Sequence, residues 1–287
     1  MALSTISLTS GMRANLFSLQ KMSRDMEITQ NRLATGLKVN TALDDPINFF
    51  AAQEHRSRAS DLASRKDGMS EAIQTIKAAN VGVEGVNNLI AQAKSLAQSA
   101  MSATASEATT LATQYGKVMT QINQMANDSG YKGTNLMQSG SLTVQFAPTA
   151  NQSFLNMTGF GDSTAAFNIA GLDAEVSTAG MGTTWVVSGQ TTVTTSAVQT
   201  SINNLETAMD TLRTKSKTLS NNLAIITARE DFTSQMINTL GDGAAKLTEA
   251  DMNEEGANML MLQTRQALAT TSLNLASQVA QSVLRLF

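Results

Sequence analysis

The chain has 287 residues, a formal charge of −3 and no cysteine. That excludes disulfides and thiolate metal sites and gives no general pull toward nucleic acid. Charged residues are only 15% and aromatics 4%, with Pro46 and Pro148 the two prolines, a composition that suits long helices packed through small residues better than a compact enzyme core. No run approaches the roughly 18 apolar residues of a membrane span. The N-terminus, MALSTISLTSGMRANLF, lacks the cationic start and apolar run of a secretory signal.

The first element is predicted as a helix over about Ser4 to Lys38. Met12, Leu19, Met22, Met26 and Leu33 follow an alternating three–four count, interrupted by Asn15 and Thr29, with Leu16 flanking. Gly36 and Asn40 then break the pattern, and Asp44-Asp45-Pro46 opens a second helix. Asp45 is placed to cap it and Pro46 suits its first turn, so the acid pair reads as a cap rather than a metal or acid–base site. That helix is expected to continue to near Ala105. Leu62, Met69, Ala72, Ile76, Ala79, Val83, Val86, Ile90, Ala93, Ala97 and Ala100 hold one seam, and only Arg65 is out of place. A third helix is predicted from about Glu107 to Asp128 on Leu111, Tyr115, Val118, Ile122 and Met125. Asn127-Asp128-Ser129-Gly130 supplies its stop.

From Tyr131 to about Ser196 helical periodicity vanishes, Gly, Thr, Ser and Asn dominate, and no Lys or Arg occurs between Lys132 and Arg213. Leu142-Thr143-Val144-Gln145-Phe146 and Trp185-Val186-Val187 read as short strands in an exposed insertion. Helix resumes near Ser196. Its seam of Val198, Ile202, Leu205, Met209, Leu212, Leu219, Leu223 and Ile226 continues through Ile237, Leu240, Ala244 and Leu247, interrupted by Ser216, Glu230 and Thr233.

The last element runs from Asp251 to Phe287. One seam is Met252, Met259, Leu262, Ala269, Leu273, Ala276, Ala280, Val283 and Phe287, interrupted by Glu255 and Gln266; a second is Leu268, Leu275, Val279 and Leu286. Two stripes imply neighbours on two sides. Ordering the backbone of such a helix costs about 1–2 kcal/mol per residue, and full burial of a seam leucine or valine returns only about 1.5–3 kcal/mol. We therefore expect this segment to be loosely ordered in a monomer and to fold on assembly. The expected fold is mainly α: a long antiparallel helical bundle with paired terminal helices and a small β-rich insertion in mid-chain. Residues 1–42 and 249–287 form the terminal-helix region, 43–130 and 197–248 the bundle, and 131–196 the insertion.

The two ends resemble those of bacterial flagellins. Asn31-Arg32-Leu33-Ala34-Thr35-Gly36-Leu37-Lys38-Val39-Asn40, then Ala42-Leu43-Asp44-Asp45-Pro46, is similar to that family's N-terminal "RL-SGL-(R/K)-(I/V)-N-A-DD" block. Ala269-Thr270-Thr271-Ser272-Leu273-Asn274-Leu275-Ala276-Ser277-Gln278, through Ser282-Val283-Leu284-Arg285-Leu286-Phe287, is similar to its C-terminal block. The resemblance covers roughly residues 1–130 and 197–287. It implies a structural subunit of the flagellar filament, a short form without large outer domains, self-assembling head-to-tail for swimming motility. It also implies an extracellular location reached by type III export without a cleaved signal. The partners implied are other copies of the chain, an export chaperone, the export apparatus, a filament cap and hook-associated proteins. The hook–filament junction protein of the same system is the nearer alternative, and a coiled-coil adaptor the more distant one.

The expected assembly surface is Leu16, Leu19, Met26, Leu33, Leu262, Leu273, Leu275, Val283, Leu286 and Phe287, with Gly36, Asn40, Asp44, Asp45 and Pro46 as cap and hinge. Flagellins that activate the innate flagellin receptor carry a stretch like "L-Q-R-V-R-E-L". Here Ile90-Ala91-Gln92-Ala93-Lys94-Ser95-Leu96 aligns with it, with Gln92 where an arginine is expected and Lys94 unable to reproduce an arginine fork. Weak receptor activation is expected. Nothing points to an enzyme, a cofactor or a metal. His55, the single histidine, lies in a polar helical stretch with no second His or Cys to build a site, and Gly159-Phe160-Gly161 is no phosphate loop.

Overall fold

The computed structural model describes residues 10–148, 153–160, 185–186 and 192–284. Among these the chain is mainly helical, with α1 (Ser10–Thr35), α2 (Pro46–Met101), α3 (Ala105–Asp128), β1 (Ser141–Gln145), β2 (Phe154–Thr158), α4 (Thr195–Thr248) and α5 (Met252–Leu284). The terminal helices pack together, as the sequence pattern predicts, and the predicted insertion holds a two-stranded antiparallel sheet whose second strand, β2, the sequence reading did not name. The chain separates into two compact units, residues 1–57 with 238–287, and residues 58–237.

The boundaries have local causes. α1 stops at Thr35, before the predicted Lys38, because Gly36 takes φ +72°, a left-handed conformation that ends helices and costs glycine nothing. α3 starts two residues ahead of Glu107. That carboxylate accepts the Thr104 amide at 3.0 Å and the Thr104 hydroxyl at 2.9 Å, satisfying a donor the helix leaves free. At the other end, the Asn135 amide nitrogen donates to the carbonyls of Ala126 and Asn127 at 2.8 and 3.0 Å.

Residues 58–237 hold the larger core. The predicted seams of α2, α3 and α4 meet in one cluster, with Ile76, Ile90, Ile122, Leu205 and Leu212 fully buried. Alanines at seam positions (Ala79, Ala93, Ala97, Ala100) let the helices approach closely. Gly82 marks a close approach, since a Cβ there would sit 2.2 Å from the Ser129 hydroxyl oxygen. Half-buried polar groups beside the seams find partners on the facing helix: the Ser70 hydroxyl donates to Glu230, one of the seam interruptions, at 2.6 Å and the Lys66 ammonium to Ser234 at 2.9 Å. Arg65, the misfit of the α2 seam, reaches the Pro148 carbonyl at 3.4 Å. A row of threonines on α4 (Thr207, Thr211, Thr214, Thr218) turns each hydroxyl back to the carbonyl four residues earlier, at 2.9–3.2 Å.

The sheet pairs Ser141 with Thr158 through Gln145 with Phe154. Val144 and Met157 turn inward while the alternate residues face out. Of the other predicted strand, Val186 makes an isolated antiparallel bridge to Val193, and Val187 lies outside the described residues. Trp185 is a core residue, its ring 4.8 Å from that of Tyr115 and its indole N–H donating to Ser201 at 3.2 Å.

Candidate assembly surface

The terminal unit is built on α1 lying along α5. Between them run the connections that follow α1 and precede α5. The Lys38 and Val39 amides both donate to the Thr248 carbonyl at 2.8 and 3.3 Å, and Ala250 donates to Gly36 at 2.9 Å. The Arg56 guanidinium reaches the Thr248 hydroxyl at 3.0 Å. The helices α2 and α5 each receive a carboxylate cap. Asp45 accepts the Asn48 amide at 3.1 Å, and Asp251 accepts the amides of Asn253 and Glu254 at 2.9 and 3.3 Å. Asp44 instead locks the turn between α1 and α2, accepting from the Thr41 and Asn40 amides and the Thr41 hydroxyl at 2.8, 3.1 and 3.1 Å. These bonds hold its carboxyl below the ordinary value, the Thr41 amide contributing most, followed by the Asn40 amide, the Thr41 hydroxyl and, after a small opposing effect of desolvation, the charge of Arg32.

Glu255, which interrupts the α5 seam, is buried and accepts from Arg32 of α1 at 2.8 Å. A polar groove of about 520 Å³ lies here, lined by Asn31, Arg32, Asn40, Asp45, Asp251 and Glu254 among others. No group of three or more His, Cys, Asp or Glu able to hold a metal ion occurs among the described residues. None of the helices described is long and apolar enough to cross a membrane.

The sequence-predicted assembly residues divide between two faces. Leu19, Met26 and Leu33 of α1, with Leu262 and Leu273 of α5, are buried or half-buried in the pair, beside Met22, Thr29, Met259 and Ala269. Leu16 and Leu275 point outward and are exposed. The second α5 seam is on this outer side: Leu268 and Val279 are exposed, as are Leu260 and Met261, and Phe17 and Ile28 on α1. Val283 lies in α5 with its side chain outside the description, and Leu286 and Phe287 lie outside the described residues. Phe17, Ile28 and Leu260 were missed because they sit off the three–four counts, and Met261 because the second α5 seam was begun at Leu268, seven residues after it; a search for apolar residues at any exposed helical position finds all four. In the other unit Gln92 is exposed, Leu96 is half-buried, and the Lys94 ammonium pairs with Glu206 at 2.7 Å.

A chain whose ends form one helical pair with an apolar outer side fits the terminal-block resemblance, and comparison with known proteins bears on it directly. Residues 4–141 match the family model described as the bacterial flagellin N-terminal helical region. Flagellin FljK of Caulobacter vibrioides is 25% identical over 289 aligned positions covering all of both chains. The flagellin of Brucella melitensis is 25% identical over 274 positions, 95% of each chain, and flagellin C of Rhizobium meliloti 23% identical over 309 positions, 96% of each. The chain belongs to the flagellin family. It is a short flagellin, a structural subunit of the flagellar filament, in a family whose members act by self-assembly into an extracellular homopolymer rather than by catalysis. Coverage to both ends of the relatives means that the similarity includes α5, which the N-terminal family model does not reach.

Proposed function

We propose that this flagellin polymerises through the outer side of its α1–α5 pair, while the inner seam stays within each subunit. The observation that carries the reading is the division just described: the inner seam is covered by the chain's own helices, whereas Leu16, Phe17, Ile28, Leu260, Leu268, Leu275 and Val279 stay exposed on helices of the same unit. Exposed large apolar side chains in that number mark a surface that is covered in the working state. A filament requires a head-to-tail contact that does not close on itself, so two unlike faces must meet. In this reading the terminal pair tightens on incorporation, an export chaperone covers α5 before export without a cleaved signal, and a distal cap receives the subunit. The remaining divisions follow: 43–130 with 197–248 forms the bundle, and 131–196 forms an insertion anchored to the bundle core through Leu136, Val144, Met157 and Trp185.

Seeded polymerisation followed by negative-stain microscopy tests this. Leu275→Asp puts a charge on the outer side, and we expect an intact α1–α5 pair with elongation abolished, because the filament would bury an unpaired carboxylate. Leu273→Asp, on the inner seam, should weaken the pair itself. Long filaments from Leu275→Asp would remove the outer side from the mechanism, and growth of the unaltered chain that stops at a short collar would favour a junction role. For receptor recognition, exposed Gln92 and Glu206-paired Lys94 leave little free cationic character in the stretch, supporting weak activation. Full potency in a reporter-cell assay would overturn that.

A further inference from the structure

The turn between α1 and α2 presents a second apolar surface, outside both seams. Leu43 is 95% exposed, Ile47 81% and Phe50 62%. Ile47 and Phe50 are three apart on the first turns of α2 and share a face, and Leu43 lies in the turn just ahead. The platform beneath is fixed. Asp44 holds the turn through three hydrogen bonds, Asp45 caps α2, and the Phe50 ring stands edge-on to Phe49 at 5.6 Å and 80°. A surface ordered in advance loses little entropy on docking. Loop flexibility does not account for such exposure.

We infer that Leu43, Ile47 and Phe50 form a knob that docks on the outer stripe of α5 in a neighbouring copy of the chain. The occupant is argued from three features. First, the stripe Met261, Leu268, Leu275 and Val279 follows spacings of seven, seven and four, so it runs along one side of α5 with leucines roughly 10 Å apart. On the same face, the positions three and four residues after Leu268 are the small Thr271 and Ser272, which leave room between the leucines for a branched or aromatic side chain. Second, from Gly256 to Leu284 the only charged residue is Arg265, and charge depletion is the mark of an interface centre. The outer side of α1 carries Arg13, Lys21, Arg24 and Glu27, a poorer bed for an apolar knob. Third, the area is that of one contact among several. Three side chains so exposed offer on the order of 300 Å², below the roughly 800 Å² per partner of a stable pair. The knob therefore does not form dimers in solution, but it counts once per subunit in a polymer. Knob and stripe are unlike surfaces, which gives the contact the required head-to-tail sense.

This inference rests on the filament reading. Because the chain has no cysteine, Ile47→Cys and Leu268→Cys each carry one thiol. The two variants are copolymerised on seeds and treated with a short bis-maleimide. We expect cross-linked dimers in the mixed filaments, and none in filaments of either variant alone or in unpolymerised mixtures. Mixed filaments without dimers, or dimers from Ile47→Cys alone, would overturn the pairing. In parallel, Ile47→Ser and the triple variant Leu43→Ser, Ile47→Ser, Phe50→Ser are followed by circular dichroism and elongation rate. Helix content should stay unchanged while elongation falls at least tenfold for the triple variant and measurably for Ile47→Ser. Unaltered elongation of Ile47→Ser and of a folded triple variant would eliminate the knob. Failure of the unaltered chain to elongate would instead bring down the filament reading, and the knob with it.

Discussion

Replacing Arg32 with alanine strips the buried Glu255 carboxylate of its 2.8 Å partner. The Glu255 side chain is 9% exposed and that of Arg32 40%. A charged hydrogen bond contributes about 1.5–3 kcal/mol. Solvent around the half-open guanidinium screens part of it, leaving about 1–2 kcal/mol. Since the chain forms two compact units, a single unfolding transition is a poor reporter. Amide hydrogen exchange read residue by residue is the suitable assay. A loss of about 1–2 kcal/mol raises the open population roughly 5–30-fold, so amides of α1 near Leu33 and of α5 near Leu262 should exchange faster by that factor. Amides around Ile76 and Tyr115, in the other unit, should not change. Glu255→Gln keeps an acceptor and sheds the buried charge, so the Arg32→Ala, Glu255→Gln double variant should exchange more slowly than Arg32→Ala alone. Equal exchange in Arg32→Ala and the unaltered chain would refute the reasoning and reduce the ion pair to a surface contact.

Three further outcomes are expected. The Asp44 carboxyl lies below its ordinary value of 3.8 in the fold; the unfolded turn therefore binds its proton first. The stabilisation is complete above the unfolded value and is lost as pH falls through the lowered folded one. Exchange of the Asn40 and Thr41 amides should accelerate only across that acidic window, and Asp44→Asn should remove the dependence. Gly36→Ala meets open space but keeps φ +72°, so it should cost about 1–2 kcal/mol from backbone strain alone, with Gly36→Asn costing less, as read from the Lys38 and Val39 amides. Peroxide transfers one oxygen to a methionine thioether, leaving sulfoxide and water. Mass spectrometry of the monomer should find half-buried Met22, Met26 and Met259 oxidised well before Met69, Met119 and Met137, which are no more than 1% exposed; equal rates would contradict the burial described.

Much of the architecture was legible because its signal is periodic. The α2 and α4 seams needed only apolar residues at the right spacing, and Asp45-Pro46 announces a helix start in any context. The double stripe on α5 was legible as two faces. Which face the chain covers itself was not, because periodicity counts faces without naming the occupant. Glu255 reads as a defect in a seam until Arg32, 223 residues earlier in sequence, is brought beside it. Trp185 lies in a stretch without helical period, and only the tertiary position of Tyr115 makes it a core residue. The exposed knob was hidden for the opposite reason: Leu43, Ile47 and Phe50 surround a strong capping signal, and the cap absorbed the reading.

The threonine row on α4 has a mechanical consequence. Each hydroxyl of Thr207, Thr211, Thr214 and Thr218 adds a donor to a carbonyl that the helix already uses. Such bonding bends helices slightly. At spacings of four, three and four the four increments fall on one side of α4 and add instead of cancelling. A subunit of a long thin filament must tolerate bending without breaking. These hydroxyls give α4 a preferred direction in which to yield, set by side-chain placement alone rather than by a break in the helix.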